Sequence, residues 1–330
     1  MKRLRGAVVA LLFCAIGAAA YLAVALNTPY DGFGAETFVE FPRGTTTGQM
    51  ATMLQKSGVI RHSWEFLMVR AILHNARLQA GEYRFHQPAS LLDVFDRIAR
   101  GDIFYYELVA PEGRNLFDLA AAVERLGLFP AARFLEAARD PAPIRDLDPE
   151  APTLEGYLFP STYRLSRHTT PEGLCRIMTG KFREVWRGLH TDASVHRIVT
   201  LASLVEKEGK LPDERPVIAS VFLRRLAIGM KLDCDPTTIY AALLRGNYRG
   251  VIHKSDLASG DPYNTYRHAG LPPGPIANPG TASIQAVLHP AGTDYLYFVA
   301  RADGSGGHTF SSDLAAHEAA IKRYRRSLAR

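Results

Sequence analysis

The apolar positions of this chain follow three patterns. The first is continuous: GAVVALLFCAIGAAAYLAVAL, 21 residues from Gly6 to Leu26, carries no charge. As a helix rising about 1.5 Å per residue it spans roughly 30 Å, the thickness of one hydrocarbon layer. Lys2, Arg3 and Arg5 flank its short side, which keeps the tail in the cytoplasm and places the body outside it. Ala18 to Ala20 would pass for a processing site. The run nevertheless exceeds the roughly 7 to 15 residues of a signal core, which favours an anchor over a cleaved leader.

The second pattern alternates between strand and helix periods. TFVEFPRG reads as a strand and its turn, and TTGQMATMLQKSGV sets Met50, Met53 and Leu54 at helical spacing before stopping at Gly58. SWEFLMVRAIL predicts a helix, LQAGEYRF a strand, and SLLDVFDRIARG a capped helix closed by Gly101. The first of these stretches recurs 69 residues on. In YELVAPEGRNLFDLAAAVERLGL, Pro111, Gly113, Ala120, Val123 and Gly127 stand where the first copy has Pro42, Gly44, Ala51, Leu54 and Gly58. Two copies of a strand, turn and helix fit two related small modules and fall short of the three or more that a solenoid needs.

In the third pattern breakers and helices mix. Residues 130–152, with Pro141, Pro143 and Pro149, read as a hinge region. From Thr153 onward, HRIVTLASLVEKEG, DERPVIASVFLRRLAIG, PTTIYAALLRG and TASIQAVLHP have helical spacing between long segments rich in Gly, Pro, Asn and Tyr. One clear strand, DYLYFVARA, precedes the turn DGSGG and a closing helix, SSDLAAHEAAIKRYRRSLAR. The expected fold is α+β: residues 1–28 a tail and transmembrane helix, 35–105 a small α/β module, 106–150 a second repeat-like module with the hinge, and 151–330 a C-terminal α+β domain whose rigid loops are the natural place for a site.

Composition sharpens this outline. With 330 residues, 47% of them apolar and 22% charged, the chain is folded and long enough for two or three units. A net charge of +6 suits acidic polymers or an anionic membrane, but no basic run lies away from the chain ends, which argues against nucleic acid. Cys14, Cys175 and Cys234 form no CxxC pair, and the histidines from His253 to His317 show no HExxH spacing. No metal or cofactor is expected.

The candidate chemistry centres on LASLVEKEGK, residues 201–210. This helix is apolar over most of its circumference and therefore buried. Glu206 follows Ala202 by four and Ser203 by three, so small neighbours leave room for a ligand beside it. Glu208 points about 200 degrees away and cannot pair with it. A lone acid on a buried helix is expected to favour its protonated form, as a general acid requires; the other reading of the helix by itself is that Glu206 is a solvated last-turn residue. EGYLFPSTYRL, 155–165, and the loop 259–290 bring tyrosine faces with amide and hydroxyl groups, a combination suited to sugar rings.

EGYLFPSTYRL, LASLVEKEG, VFLRRLAIGMKLDCDPTTIYA, YNTYRHAGLPPGPIANPG, LHPAGTDYLYFVA and GGHTFSSDLAAHE, in this order behind one anchor, resemble the endolytic murein transglycosylase, or YceG-like, family. The resemblance covers most of the chain and is strongest from Thr153 to Tyr324. It implies a single-pass inner-membrane protein with a periplasmic body that cuts nascent peptidoglycan between N-acetylmuramic acid and N-acetylglucosamine, leaving a 1,6-anhydro end. It implies a LysM-like peptidoglycan-binding module over the duplicated stretch ending near Asp102, with glycan strands and their synthases as partners. The family's catalytic glutamate, first in its VEKE motif, falls on Glu206. Beside it, Glu155, Tyr163, Asp235, Thr237, Asn264, Tyr266 and His308 are the candidates for holding the sugars, with loop-bracing hydrogen bonds as the alternative role. Three positions depart from the family pattern: Ser161 replaces an Asp, and Asp233 and Cys234 stand where Gln and Ser are usual. Two other readings are a non-catalytic peptidoglycan-binding scaffold for the synthases and a hydrolase pairing Glu206 with Asp235.

Overall fold

Helix α1, Lys2–Asn27, opens the chain. The computed structural model describes residues 2–328, the side chains of residues 2–11, 18 and 328 excepted. A third of the expected membrane crossing, residues 6–11 and 18, thus lies outside the described side chains, and among the described residues no helix is long and apolar enough to cross a membrane. Where α1 side chains are described, Leu12, Phe13, Ile16, Tyr21 and Val24 are exposed, while Leu26 packs on the core of the first of two compact units, Met1–Tyr105.

In that unit, strand β1 (Thr37–Phe41) is followed by α2 (Thr47–Lys56), α3 (Ser63–Ile72), β2 (Gly81–Phe85) and α4 (Leu91–Arg100). β1 and β2 pair antiparallel with Val39 opposite Tyr83, and alternation turns Val39 and Phe41 into the core. The helices begin where the chain can satisfy its own amides. The Thr46 hydroxyl accepts from the Gln49 N–H while the Gln49 side chain accepts from the Thr46 N–H, and Ser90 with Asp93 repeats the arrangement at α4. Gly101 closes α4 with φ +71°, a left-handed conformation that glycine adopts without penalty. Leu91, Val94, Phe95 and Ile98 then form one buried stripe beside Phe66 and Tyr83.

The second unit, Tyr106–Arg330, starts with the same plan: β3 (Tyr106–Ala110), α5 (Leu116–Arg125), α6 (Ala131–Arg139) and β4 (Ser161–Leu165), with β3 and β4 antiparallel. The 69-residue offset carries buried Val39, Phe41, Met50, Ala51 and Leu54 onto buried Leu108, Ala110, Leu119, Ala120 and Val123. It also carries the capping box onto Asn115 and Asp118. The offset fails before the closing strand, because the connection over residues 73–80 of the first unit is lengthened to residues 140–160 here. The expected hinge over 130–152 is packed: Phe134, Ala138 and Ile144 are fully buried, as are Leu154 and Tyr157 after it. The Tyr157 hydroxyl donates to Asp148, whose carboxylate also meets His196 Nδ1 at 2.9 Å. The second β-α-α-β unit therefore runs to Leu165, and EGYLFPSTYRL is its closing segment.

Helices α7 (Pro171–Gly188), α8 (Val195–Glu208), α9 (Arg215–Ala227), α10 (Asp235–Leu244), α11 (Lys254–Leu257) and α12 (Thr281–Leu288) follow, then β5 (Tyr297–Ala300), β6 (His308–Ser311) and α13 (Leu314–Leu328). β5 and β6 pair antiparallel. The centre is α8, with α9, α10 and α12 packed around it and Val199, Leu201, Ala202, Leu204 and Val205 fully buried. Ser90→Ala removes the α4 cap and should cost about 1 kcal/mol. In hydrogen–deuterium exchange of the intact protein, α4 amides that exchange by local opening should then exchange about fivefold faster.

Candidate active site

The last turn of α8 is where this buried helix becomes chemically accessible. Gly209 ends it, and a β-carbon there would press on Arg215 Cγ at 2.8 Å and on the Val205 carbonyl at 3.0 Å. The missing side chain lets Arg215, first residue of α9, lie across the helix end. Its Nε donates to the Gly209 carbonyl at 3.2 Å, a cation where the helix dipole is negative. Its Nη2 donates to Glu206 Oε1 at 3.2 Å. The other oxygen, Oε2, accepts from the Gly280 N–H at 3.0 Å. The Glu206 side chain is 5% exposed, so its carboxyl is gripped at both oxygens in a nearly closed setting.

Two sequence expectations change here. Glu206 is not an unpartnered acid, because Arg215 comes from outside the helix, nine residues further on. Nor do the small neighbours leave room for a ligand. Ser203 Oγ donates to the Thr200 carbonyl at 2.7 Å and accepts from the Ile276 N–H at 3.1 Å, so the protein's own loop uses the space. That loop is fixed by Asn278. Its Oδ1 accepts from Gly156 N–H at 3.0 Å and Leu158 N–H at 2.9 Å, and its Nδ2 donates to the Arg114 carbonyl at 2.8 Å and to Glu155 Oε1 at 3.1 Å. Its backbone exchanges bonds with the turn 113–114, each 2.9 Å long. Gly113 adopts φ +74°, a left-handed conformation that favours glycine, and a β-carbon there would lie in contact with Glu206 Cγ at 3.4 Å. Lys207 donates to the Gly113 carbonyl at 3.3 Å and so closes the outer edge.

Of the residues singled out in the sequence, the structure gathers two groups. Glu155 belongs with Glu206, but beneath it. It is 1% exposed and its Oε2 accepts from the Leu116 N–H at 2.9 Å. Burial pushes its carboxyl up to about 8, against the pull of the hydrogen bonds from Leu116 and Tyr240. The second group lies around the start of α10. Tyr266 donates its hydroxyl to Asp235 at 2.7 Å, and Thr237 donates to the Cys234 carbonyl at 2.7 Å beside Thr265. Asn264 Nδ2 donates to the carbonyls of Leu257 at 3.0 Å and Ser259 at 2.7 Å. Thr237 and Asn264 are fully buried and brace their own loops. The buried Tyr163 does likewise, donating to the Phe159 carbonyl. His308 is tied by its N–H and Nδ1 to Glu214.

Glu208 faces this second group, accepting from Cys234 Sγ at 3.3 Å, and burial raises its carboxyl above the usual range. The two glutamates of VEKE thus point to different partners. Asp233 and Cys234, two of the departures from the family pattern, stand on this side. Asp233 adopts φ +48°, a costly conformation for a residue with a side chain, and lies 3.9 Å from Arg225. Among the described residues no cluster of histidine, cysteine or acidic side chains is arranged to hold a metal.

The sequence reading missed Arg215, Gly280, Asn278 and Glu112. Glu112 lies in the turn after β3, with Oε2 3.8 Å from Arg215 Nη1. Its carboxylate also rests on the Cα of Gly280, where a β-carbon would strike it. The duplicated stretch held the signal, since the first copy has Arg43 at the matching position.

A carboxyl at the end of a buried helix, held by a guanidinium and a backbone amide, has the chemistry to give up or take a proton. The chain belongs to the YceG-like family, whose model matches residues 39–323. It is 33% identical over 307 residues to a Bacillus subtilis protein named endolytic murein transglycosylase, covering 87% of this chain and 84% of that one. A protein of the same name from Streptococcus pneumoniae is 30% identical over 295 residues, 79% of this chain and 54% of its own length. The crystal structure of a YceG-like protein from Listeria monocytogenes, 32% identical, superposes with a TM-score of 0.55 over 86% of this chain and 98% of that one.

Glu155 gives a pH test of the layer under the site. Its carboxyl binds a proton up to about pH 8 when folded but only to its ordinary 4.5 when exposed. The associated stability is full below the lower value and is lost as pH rises through the higher one, by roughly a few kcal/mol. Thermal melts at pH 5 and pH 9 should show Glu155→Gln losing less stability over that interval than the wild type.

Proposed function

We propose that this protein is a membrane-anchored endolytic lytic transglycosylase acting on nascent peptidoglycan, with Glu206 as its single acid and base. The observation that carries this reading is the grip on Glu206: both oxygens are oriented, by Arg215 and by the Gly280 N–H, and only 5% of the side chain meets solvent. Membership of a family whose matched relatives are named endolytic murein transglycosylases supports the reaction class.

Protonated Glu206 gives its proton to the glycosidic oxygen between N-acetylmuramic acid and N-acetylglucosamine, and the C1–O4 bond breaks. The resulting carboxylate takes the proton of the muramic acid C6 hydroxyl, whose oxygen bonds to C1 of the same ring. No water is consumed, a 1,6-anhydro end forms, and the acid regains its proton. Arg215 and the Gly280 N–H stabilise the charged form between the two steps. Tyr266 and Asp235, joined by their hydrogen bond, are assigned to holding the glycan.

Several further assignments belong to this reading. The β1-α2-α3-β2 unit is taken as the LysM-like glycan-binding module. Helix α1 is taken as a single-pass inner-membrane anchor with its N-terminus cytoplasmic and the body periplasmic. The uncharged run Gly6–Leu26 supports this, as do the exposed Leu12, Phe13, Ile16, Tyr21 and Val24, which lipid would cover. An anchored site meets strands as the synthases release them, which makes those enzymes its expected partners and strand termination its expected effect.

Purified protein incubated with uncrosslinked glycan should give anhydro-ended fragments by mass spectrometry, and Glu206→Gln should reduce them at least about a hundredfold. Reducing-end products carrying solvent oxygen would instead establish a hydrolase. Intact strands with measurable glycan binding would favour a scaffold.

A further inference from the structure

Arg215 poses an electrostatic problem for the reaction. It is 12% exposed at the side chain, and its nearest anionic partner is Glu206. When Glu206 takes up the proton that the proposed mechanism needs, that partner becomes neutral. A buried guanidinium would then stand without a counter-charge, and such a loss is strongly unfavourable. Glu112 removes the difficulty. Its Oε2 lies 3.8 Å from Arg215 Nη1, whereas Glu206 is met by Nη2. Its side chain is 48% exposed, so its charge is kept solvated. Its carboxylate also sits against Gly280, whose N–H serves Glu206. Two carboxylates, one enclosed and one open to solvent, thus share the same two neighbours.

We propose that Glu112 is a positioning residue that acts through Arg215. It holds the guanidinium through Nη1 while Glu206 is protonated, and yields it to Glu206 when that group becomes the carboxylate. The other charged groups around Glu206 do not replace it. Lys207 is turned to the Gly113 carbonyl, Glu208 faces Cys234 on the far side of α8, and Glu155 lies behind Asn278. α12 contributes only the N–H of Gly280, the residue that precedes it.

This inference rests on the transglycosylase reading, so its test separates the two. Glu112→Gln removes the negative charge and keeps the shape. Glu206 is then less readily protonated, and activity that needs the acid form is lost at lower pH. The alkaline limb of kcat/KM for glycan cleavage should move down by about one pH unit, with kcat near neutral pH lowered about tenfold and KM within about threefold. Glu112→Asp should recover part of the shift. Gly280→Ala supplies an independent route, since φ is −78° there and alanine adopts it. The new methyl group displaces the Glu112 carboxylate but keeps the amide, and should move the limb in the same direction.

A carboxyl-carbon NMR titration of Glu206 in the resting protein reads the same coupling without turnover, and Glu112→Gln should lower its midpoint. An unmoved pH limb and an unmoved midpoint in a folded Glu112→Gln variant would overturn the proposal. A raised KM with an unmoved limb would overturn it too, by making Glu112 a glycan contact. Should the wild type cleave nothing while the midpoint still shifts, the enzymatic reading falls and the Glu112 coupling stands.

Discussion

One buried amide holds the second unit's site together. Asn278 is 1% exposed, and its side chain accepts two backbone N–H groups from the segment 156–158 while donating to the Arg114 carbonyl and to Glu155. That uses the full capacity of the side chain, two donors and two acceptors. An aspartate would lack the donors, and a serine would lack the reach. Three segments distant in sequence are fixed by it: the turn after β3, the inserted stretch before β4, and the loop that delivers Gly280 to Glu206. A network of this kind is strong only when every member is satisfied, and the cost of burial is visible in Glu155, whose carboxyl is pushed up to about 8.

The repeated β-α-α-β unit supplies the other half of the architecture. Both copies use the same buried positions, capping boxes and left-handed glycines, Gly44 at φ +88° and Gly113 at φ +74°. In the first copy the space around that glycine is open, with nothing near the position a β-carbon would take. In the second, Glu206 and Lys207 lie within 3.4 and 3.9 Å of that position. One turn geometry thus serves as an ordinary connection in one unit and as a wall of the candidate site in the other.

This contrast explains what the sequence could reveal. Helix α4 was legible because its boundaries are local: Ser90 opens it, Gly101 closes it, and an apolar stripe runs between. Strand β4 was not legible, because the connection before it is longer than in the first unit, and the prolines of 130–152 look like a hinge until Phe134, Ala138 and Ile144 are seen to be buried. Glu206 stood out as a carboxyl on an apolar helix. Arg215, Gly280 and Glu112 did not, because each acquires its meaning from a residue far along the chain. Glu112 alone left a local trace, as a glutamate where the first copy has Arg43.

The spacing of these residues also sets an order on the ribosome. Glu206 is synthesised before either group that orients it, and the Gly280 amide follows 74 residues later. Until then the loop carrying Asn278 is missing too, so the carboxyl has no enclosed setting to occupy. Nascent chains grow from the N-terminus, and an incomplete chain therefore holds the acid residue without the apparatus that gives it direction. The distance along the backbone acts as a timer, with the enclosed setting of Glu206 arising only once about three-quarters of the second unit has been made.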